Sequence, residues 1–147
     1  MGVSMSIENA IVLTRLGFIG KNLQKLKRFE TMTLAEYLDN SDLQIISERL
    51  LEVIIQTSID INKHLLTQGY QISSITYKES FQQLGDYEIL PRKLAKELSS
   101  AASLRNVLAH QYLDIDYTEL FASIQKVLLF YPLYVQQITQ YLDKLEV

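Results

Sequence analysis

No cysteine occurs anywhere in the 147 residues. That excludes a disulfide framework, thiolate zinc sites and cysteine nucleophiles together. Histidine is almost as scarce, with two copies, His64 and His110. With so few imidazoles and no thiolate, a transition-metal cage built from protein ligands alone is not expected, nor is any cofactor. Apolar runs are only a few residues long, far short of the roughly 20 that span a bilayer. The chain does not open on a basic segment followed by an apolar run, so no secretory signal is visible, and a cytoplasmic protein without membrane contact is the expectation. The first residues, MGVSMS, match the Met-Gly-x-x-x-Ser outline for N-myristoylation, but so short an outline is easily met by chance; a leader before Met5 or a loose tail is the plainer reading. Also missing are a glycine-rich phosphate loop, the paired histidines of a zinc protease helix, an EF-hand loop and the serine elbow of hydrolases.

An excess of positive charge is lacking too. The net charge is −3 and the pI about 5.4, which does not describe a strongly basic nucleic-acid-binding domain. Contact with nucleic acid would have to rest on local patches. Lys21, Lys25, Lys27 and Arg28 form one, and Arg92, Lys93 and Lys96 another. Each taken alone reads most simply as a solvated helix face.

What the chain does have is helical periodicity. Its length suits one compact domain over 1–147, with an ordered core from about 7 to 144, and 48% apolar residues suffice for a buried core. Val12, Leu16, Ile19, Leu23 and Leu26 recur at helical spacing within 7–29. A second stripe, from Leu43 through Leu50, Ile54 and Ile61 to Leu65, fills 42–68, with Ser41 or Asp42 as its cap and Gly69 at its end. Between them Thr33 can cap a short helical turn. Cap-type serines and Gly85 bracket a short helix near 76–84, and Pro91 suits the first turn of the next. Leu90, Leu94, Leu98, Ala101, Leu104 and Leu108 carry that helix onward.

The last helix is expected over 117–144, capped by Asp116 or Thr118. Its stripe is Leu120, Ile124, Val127, Tyr131, Tyr134, Ile138 and Tyr141, with Phe121, Leu128, Val135 and Leu142 widening it enough to serve a core and a partner together. Pro132 inside it should remove one backbone hydrogen bond and bend it. No strand pair or hairpin signal appears. The fold class is therefore all-α, an up-and-down bundle of four main helices with one or two short extras.

Two places carry chemistry. Asp60 and His64 share a helix face at a spacing of four; the pair can orient a base, but reads more simply as a boundary pair. The second place is "SLRNVLAHQYLD", residues 103–114. Arg105 offers a permanently charged planar fork that fits phosphate oxygens, and His110 can take and return a proton near neutral pH. Together they supply what phosphodiester cleavage needs without a metal: a base for the attacking hydroxyl, and a cation for the charge of the transition state. RNA brings that hydroxyl itself, as its 2′-OH. Asn106 can hold the histidine or add a hydrogen bond to phosphate. Five residues at about 100° each set Arg105 and His110 roughly 140° apart on a straight helix. Either the helix ends near Ala109 and the chain turns, or a second subunit completes the site. An Arg and a His that merely bind carbonyls at a helix end would look the same from composition alone.

The string Arg105-Asn106-x-x-x-His110-x-Tyr112 resembles the R-x4-H-x-Y signature of HepT-like toxins. These are HEPN-domain ribonucleases paired with a minimal nucleotidyltransferase (MNT) antitoxin. The resemblance extends to "LLEVIIQTSIDINKHLL" (50–66), "TYKESFQQLG" (76–85) and "LAKELSSAASLRNVLAHQY" (94–112), and covers about 7–144. It implies a HEPN bundle acting as a homodimer with two motifs facing across one cleft. Arg105 and His110 would be the catalytic residues of a metal-independent endoribonuclease, with Asn106 in support. RNA would be the substrate, and Tyr112 the position at which the antitoxin adds AMP. The other reading that the resemblance allows is a HEPN domain that binds nucleotide or scaffolds a nucleotidyltransferase without cleaving anything.

Overall fold

The computed structural model describes residues 8–73, 75–104, 108 and 114–145. Among these residues there are six α-helices and no strand: α1 (Asn9–Leu26), α2 (Leu34–Leu38), α3 (Ser41–Tyr70), α4 (Tyr77–Asp86), α5 (Arg92–Ala102) and α6 (Tyr117–Leu145). A 3-10 turn, Lys27–Phe29, extends α1.

Side-chain caps set most of the starts. Thr33 and Glu36 form a reciprocal capping box on α2. Asn40 Oδ1 accepts the Leu43 N–H at 3.1 Å and starts α3 one residue earlier than Ser41 would, and two earlier than Asp42. Thr76, rather than a serine, accepts the Glu79 N–H and starts α4. Asp116 caps α6, its Oδ1 accepting from the backbone N–H of Thr118 and Glu119 at 3.0 and 3.2 Å.

The two glycines expected to stop helices do not. Helix α3 runs past Gly69, and Gln71 takes the left-handed conformation instead, at φ 59°. The N–H groups of Gln71 and Ile72 return to the carbonyls of Thr67 and Leu66, so backbone bonds tie off the end. Helix α4 likewise includes Gly85. Its termination is a Schellman arrangement with Glu88 at φ 60°: Ile89 N–H bonds to Leu84 C=O at 2.9 Å, and Glu88 N–H to Gly85 C=O at 3.1 Å. Burial of Ile89 beside Leu84 offsets the cost of about 1–2 kcal/mol for a left-handed residue with a side chain. Gly85 is present because α4 and α5 touch there; a Cβ on it would sit 2.9 Å from Ala95 Cβ.

Residue pairs give the senses of the helices. Glu8 meets His64, so α1 and α3 run antiparallel. The pairs Glu48–Tyr117, Ser58–Tyr131, Asn62–Tyr134 and Tyr70–Tyr141 rise together, so α3 and α6 run parallel. Helix α5 opposes both. The four main helices α1, α3, α5 and α6 thus run up, down, up and down, and α2 and α4 are the short extras. The core is the set of stripes read from the sequence: Val12, Leu16, Ile19 and Leu26 of α1, Leu51, Ile54, Ile55 and Ile61 of α3, and Leu120, Ile124, Val127 and Ile138 of α6 are all buried. Phe121, Leu128 and Val135 pack at its margin. Leu129 and Leu133 stay exposed, as does Pro132, through which α6 continues. No helix among the described residues is long and apolar enough to cross a membrane.

Polar groups inside the core are paired. Ser58 donates to the Ile55 carbonyl at 2.7 Å, which leaves its Oγ to accept from Tyr131 OH at 2.8 Å. Tyr134 OH shares its proton between Asn62 Oδ1 at 2.6 Å and the Ser58 carbonyl at 3.1 Å, and Asn62 Nδ2 donates to Ser80 Oγ at 3.2 Å. The chain of bonds ties α6 to α3 and α3 to α4. Burial holds both phenols far above the ordinary tyrosine range, so they remain neutral donors. Replacing Tyr134 by Phe leaves the Asn62 oxygen without its donor in a dry site. Urea unfolding of Tyr134→Phe is expected to show a loss of about 1–3 kcal/mol, with unchanged helix content by circular dichroism; parent-like stability would show that these bonds add nothing.

Candidate functional site between α5 and α6

Arg105, Asn106, His110 and Tyr112 lie outside the described residues. What is described is the frame on either side of them. On the incoming side, Leu104 packs against the core and Leu108 is buried in it. These two continue the α5 stripe of Leu94 and Leu98. On the outgoing side, Ile115 packs against the core and Asp116 caps α6. Tyr117 then donates to Glu48 of α3 at 3.0 Å, which fixes the first turn of α6 against the bundle. Both flanks of the motif are thus anchored, at the end of the bundle where α6 begins.

Three cavities meet around the last turn of α5. The first, about 360 Å³, lies between α4 and α5 and is lined by Lys78, Asp86, Arg92, Lys96, Ser99 and Ser100 among others. A second, also about 360 Å³, is walled by Thr76, Tyr77, Lys78, Ala102 and Ser103. The third, about 220 Å³, lies between α5 and α6 and includes Glu97, Ser100, Ser103, Leu104, Glu119 and Lys126. Lys78 belongs to the first two, Ser100 to the first and third, and Ser103 to the second and third. The three thus share walls around the last turn of α5, and the third also touches Leu104, the residue before Arg105 in the chain.

The charge of these cavities is uneven. Between α4 and α5, three cations face one carboxylate, Asp86, giving 3 − 1 = +2. Between α5 and α6, Lys126 faces Glu97 and Glu119, giving 1 − 2 = −1. The basic patch read at Arg92, Lys93 and Lys96 is split by the helix: Arg92 and Lys96 line the α4–α5 side, while Lys93 faces a different cavity beside Phe130 and Leu133. Lys78 was not visible as a member of this patch in the sequence, because it comes from another helix. Lys21, Lys25, Lys27 and Arg28 are exposed, and Arg28 lies over the Phe29 ring at 5.9 Å.

Asp60 and His64 do not act as a pair. Asp60 Oδ1 accepts from Gln56 Nε2 at 2.9 Å, and His64 Nε2 accepts the Glu8 backbone N–H at 3.3 Å. Burial first, then the Arg15 charge, holds the imidazole below its ordinary range and so keeps it neutral for that role. Of the nine tyrosines, most of the eight other than Tyr112 have structural positions, and Tyr87 is exposed. Tyr37, Tyr131 and Tyr134 are buried. Tyr117 is bonded to Glu48, Tyr141 to Tyr70, and Tyr70 stacks on Tyr87 at 4.2 Å. The Tyr77 ring lies under Lys63 at 5.2 Å.

Comparison with known proteins identifies the frame. A family model described as "Ribonuclease HepT-like" matches residues 19–142. The tRNA nuclease HepT of Aphanizomenon flos-aquae (strain 2012/KM1/D3) is 46% identical over 141 residues, covering 96% of each chain. Among solved structures, a cytosolic protein of unknown function, YutE from Bacillus subtilis, superposes with a TM-score of 0.81 at 20% identity, over 95% of this chain and 93% of that one. A tri-AMPylated HEPN toxin of Shewanella oneidensis, solved in complex with an MNT antitoxin, gives 0.80 at 18% identity, over 90% and 99%. At those identities the two structures share the bundle with this chain. The family match over most of the length and the 46% identity together show that this chain belongs to the HepT-like ribonuclease family.

Proposed function

We propose that this protein is the toxin of a toxin–antitoxin pair, an endoribonuclease that cleaves RNA without a metal through Arg105 and His110. The observation that carries the proposal is the complete Arg105-Asn106-x-x-x-His110-x-Tyr112 string in a chain 46% identical, over 96% of its length, to a protein named a tRNA nuclease. That name makes transfer RNA the first substrate to test. His110 takes the proton of a ribose 2′-OH, and the oxygen attacks the adjacent phosphorus. Arg105 stabilises the charge gathered on the phosphoryl oxygens. The bond to the departing 5′-oxygen breaks as that oxygen receives a proton. The products are a 2′,3′-cyclic phosphate and a 5′-hydroxyl. In a homodimer, the second motif supplies an imidazolium for the leaving group and a second guanidinium for the phosphate, which removes the difficulty that Arg105 and His110 point apart on a straight helix. Asn106 supports the pair by a hydrogen bond to the histidine or the phosphate.

Tyr112 has a regulatory role in this proposal. Its phenolic oxygen attacks the α-phosphorus of a nucleoside triphosphate held by an MNT-type antitoxin; pyrophosphate leaves, and AMP remains on the ring. The adduct places a bulky anion beside the cleft and repels RNA by charge and volume. The structural commitments of most of the other eight tyrosines support Tyr112 as the position modified.

Expression of the chain alone should arrest growth, and Arg105→Ala and His110→Ala should each restore it by removing most of the cleavage rate, on the order of 10²-fold or more. Full toxicity in both variants sinks the ribonuclease proposal. A pure protein that cuts no RNA yet binds ATP or the antitoxin tightly points instead to the nucleotide-binding or scaffolding reading. Separately, Tyr112→Phe should stay toxic in the presence of the antitoxin, and mass spectrometry of the co-expressed parent should place AMP on Tyr112. Normal neutralisation of Tyr112→Phe contradicts the modification mechanism.

A further inference from the structure

The cleft between α4 and α5 is positive on a chain that is negative overall. Its lining carries 3 − 1 = +2, against −3 for the whole protein. Lys78, Arg92 and Lys96 are all exposed, and among the described residues none of them is in an ion pair. Unpaired cations gathered in a concave site, with the rest of the chain net negative, focus the attraction of a polyanion into that site. Arg92 and Lys96 are four apart on α5, so they stand about 5–6 Å from each other on one face. Lys78 faces them from α4, held there by the Ser99 hydroxyl, which donates to the Lys78 carbonyl at 3.2 Å. The close contact at Gly85 and Ala95 sets the two helices near enough for cations from both to line one cleft. The neighbouring cavity, which shares Lys78 with this cleft, carries the lining on to Ala102 and Ser103, two residues before Arg105 in the chain. Along α5, from Arg92 to Ala102, the rise is about 15 Å, a length over which an extended strand presents several phosphates.

We propose that this α4–α5 trough holds the phosphate backbone of the RNA substrate on its way to the Arg105–His110 pair, with Lys78, Arg92 and Lys96 as the phosphate-binding residues. The proposal rests on the ribonuclease reading above. Its chemistry is that of backbone contact: cations meeting phosphates, with no base edge read, so it contributes affinity and orientation and leaves sequence choice to the cleavage site. The acidic cavity on the opposite side of α5, with Glu97 and Glu119, repels the same strand and gives it one direction of approach.

The test uses the full chain and a purified transfer-RNA pool. Two triple variants change the charge equally: Lys78→Gln with Arg92→Gln and Lys96→Gln in the trough, and Lys21→Gln with Lys25→Gln and Lys27→Gln at the end of α1. Affinity and cleavage are measured between about 50 and 200 mM salt. The trough variant should bind RNA roughly 10- to 100-fold more weakly, and its plot of log affinity against log salt should be shallower by about 2–3. The α1 variant should match the parent. Should the triple trough variant fail to fold, Lys78→Gln alone is expected to lower the slope by about 1. If the parent cuts RNA and the trough variants keep its affinity and slope, the trough assignment is wrong while the ribonuclease reading stands. If the parent neither binds nor cuts RNA, both fall. Trough variants that keep RNA affinity but escape the antitoxin assign these cations to the partner protein and overturn the proposal.

Discussion

The line of buried hydroxyl bonds between α3 and α6 is the constraint on which the rest of the structure depends. Apolar stripes alone tolerate sliding, since one leucine rung resembles the next. Ser58 to Tyr131, and Tyr134 to Asn62 and the Ser58 carbonyl, leave one register, because a shift of a turn would strand buried donors and acceptors. Asn62 extends the same register to α4 through Ser80. Once α6 is fixed on α3, Tyr117 meets Glu48, and the start of α6 has one position. The motif-bearing segment between α5 and α6 then has both its flanks set by the bundle. The cleavage site proposed for this segment needs such support, because a base and a cation displaced by about 1 Å lose much of their effect.

Charge follows the same frame. An acidic protein that handles RNA must confine its positive field, and packing does this by putting cations of two helices into one cleft. Arg92 and Lys96 on α5 face Lys78 on α4 because Gly85 admits Ala95. Lys93, one residue from Arg92, falls on another face beside Phe130 and Leu133. That second face, with Leu133 and Leu129 exposed, is where the wide apolar stripe of the last helix emerges from the core.

Much of the fold was legible in the sequence. Period and capping chemistry are local, so the α1 and α6 stripes, Thr33 over α2 and Asp116 over α6 all stand where the spacing puts them. Gly69 and Gly85 misled because a glycine near a helix end signals either a left-handed stop or a close approach. Here Gln71 and Glu88 take the left-handed positions, and Gly85 serves the contact with Ala95. The placement of α4 beside α3 in the same sense, with Tyr77 at Lys63 and Tyr87 at Tyr70, is a tertiary outcome that no local pattern encodes. Nor was the buried pairing of serines and an asparagine with the last helix's tyrosines legible, since Ser58, Asn62 and Ser80 look like ordinary polar interruptions in the sequence. For the site, the motif residues were legible as chemistry through their order and spacing. The trough was legible only in part: Arg92 and Lys96 stood out as a patch, and Lys78 did not, because the two helices meet only in three dimensions.

The most direct test of the central claim is cleavage of purified transfer RNA by the pure protein in excess chelator, with analysis of the fragment ends. The mechanism requires cleavage to proceed without divalent metal and to leave 2′,3′-cyclic phosphate and 5′-hydroxyl termini. Cleavage that depends on added metal, or that leaves 5′-phosphate ends, would contradict it.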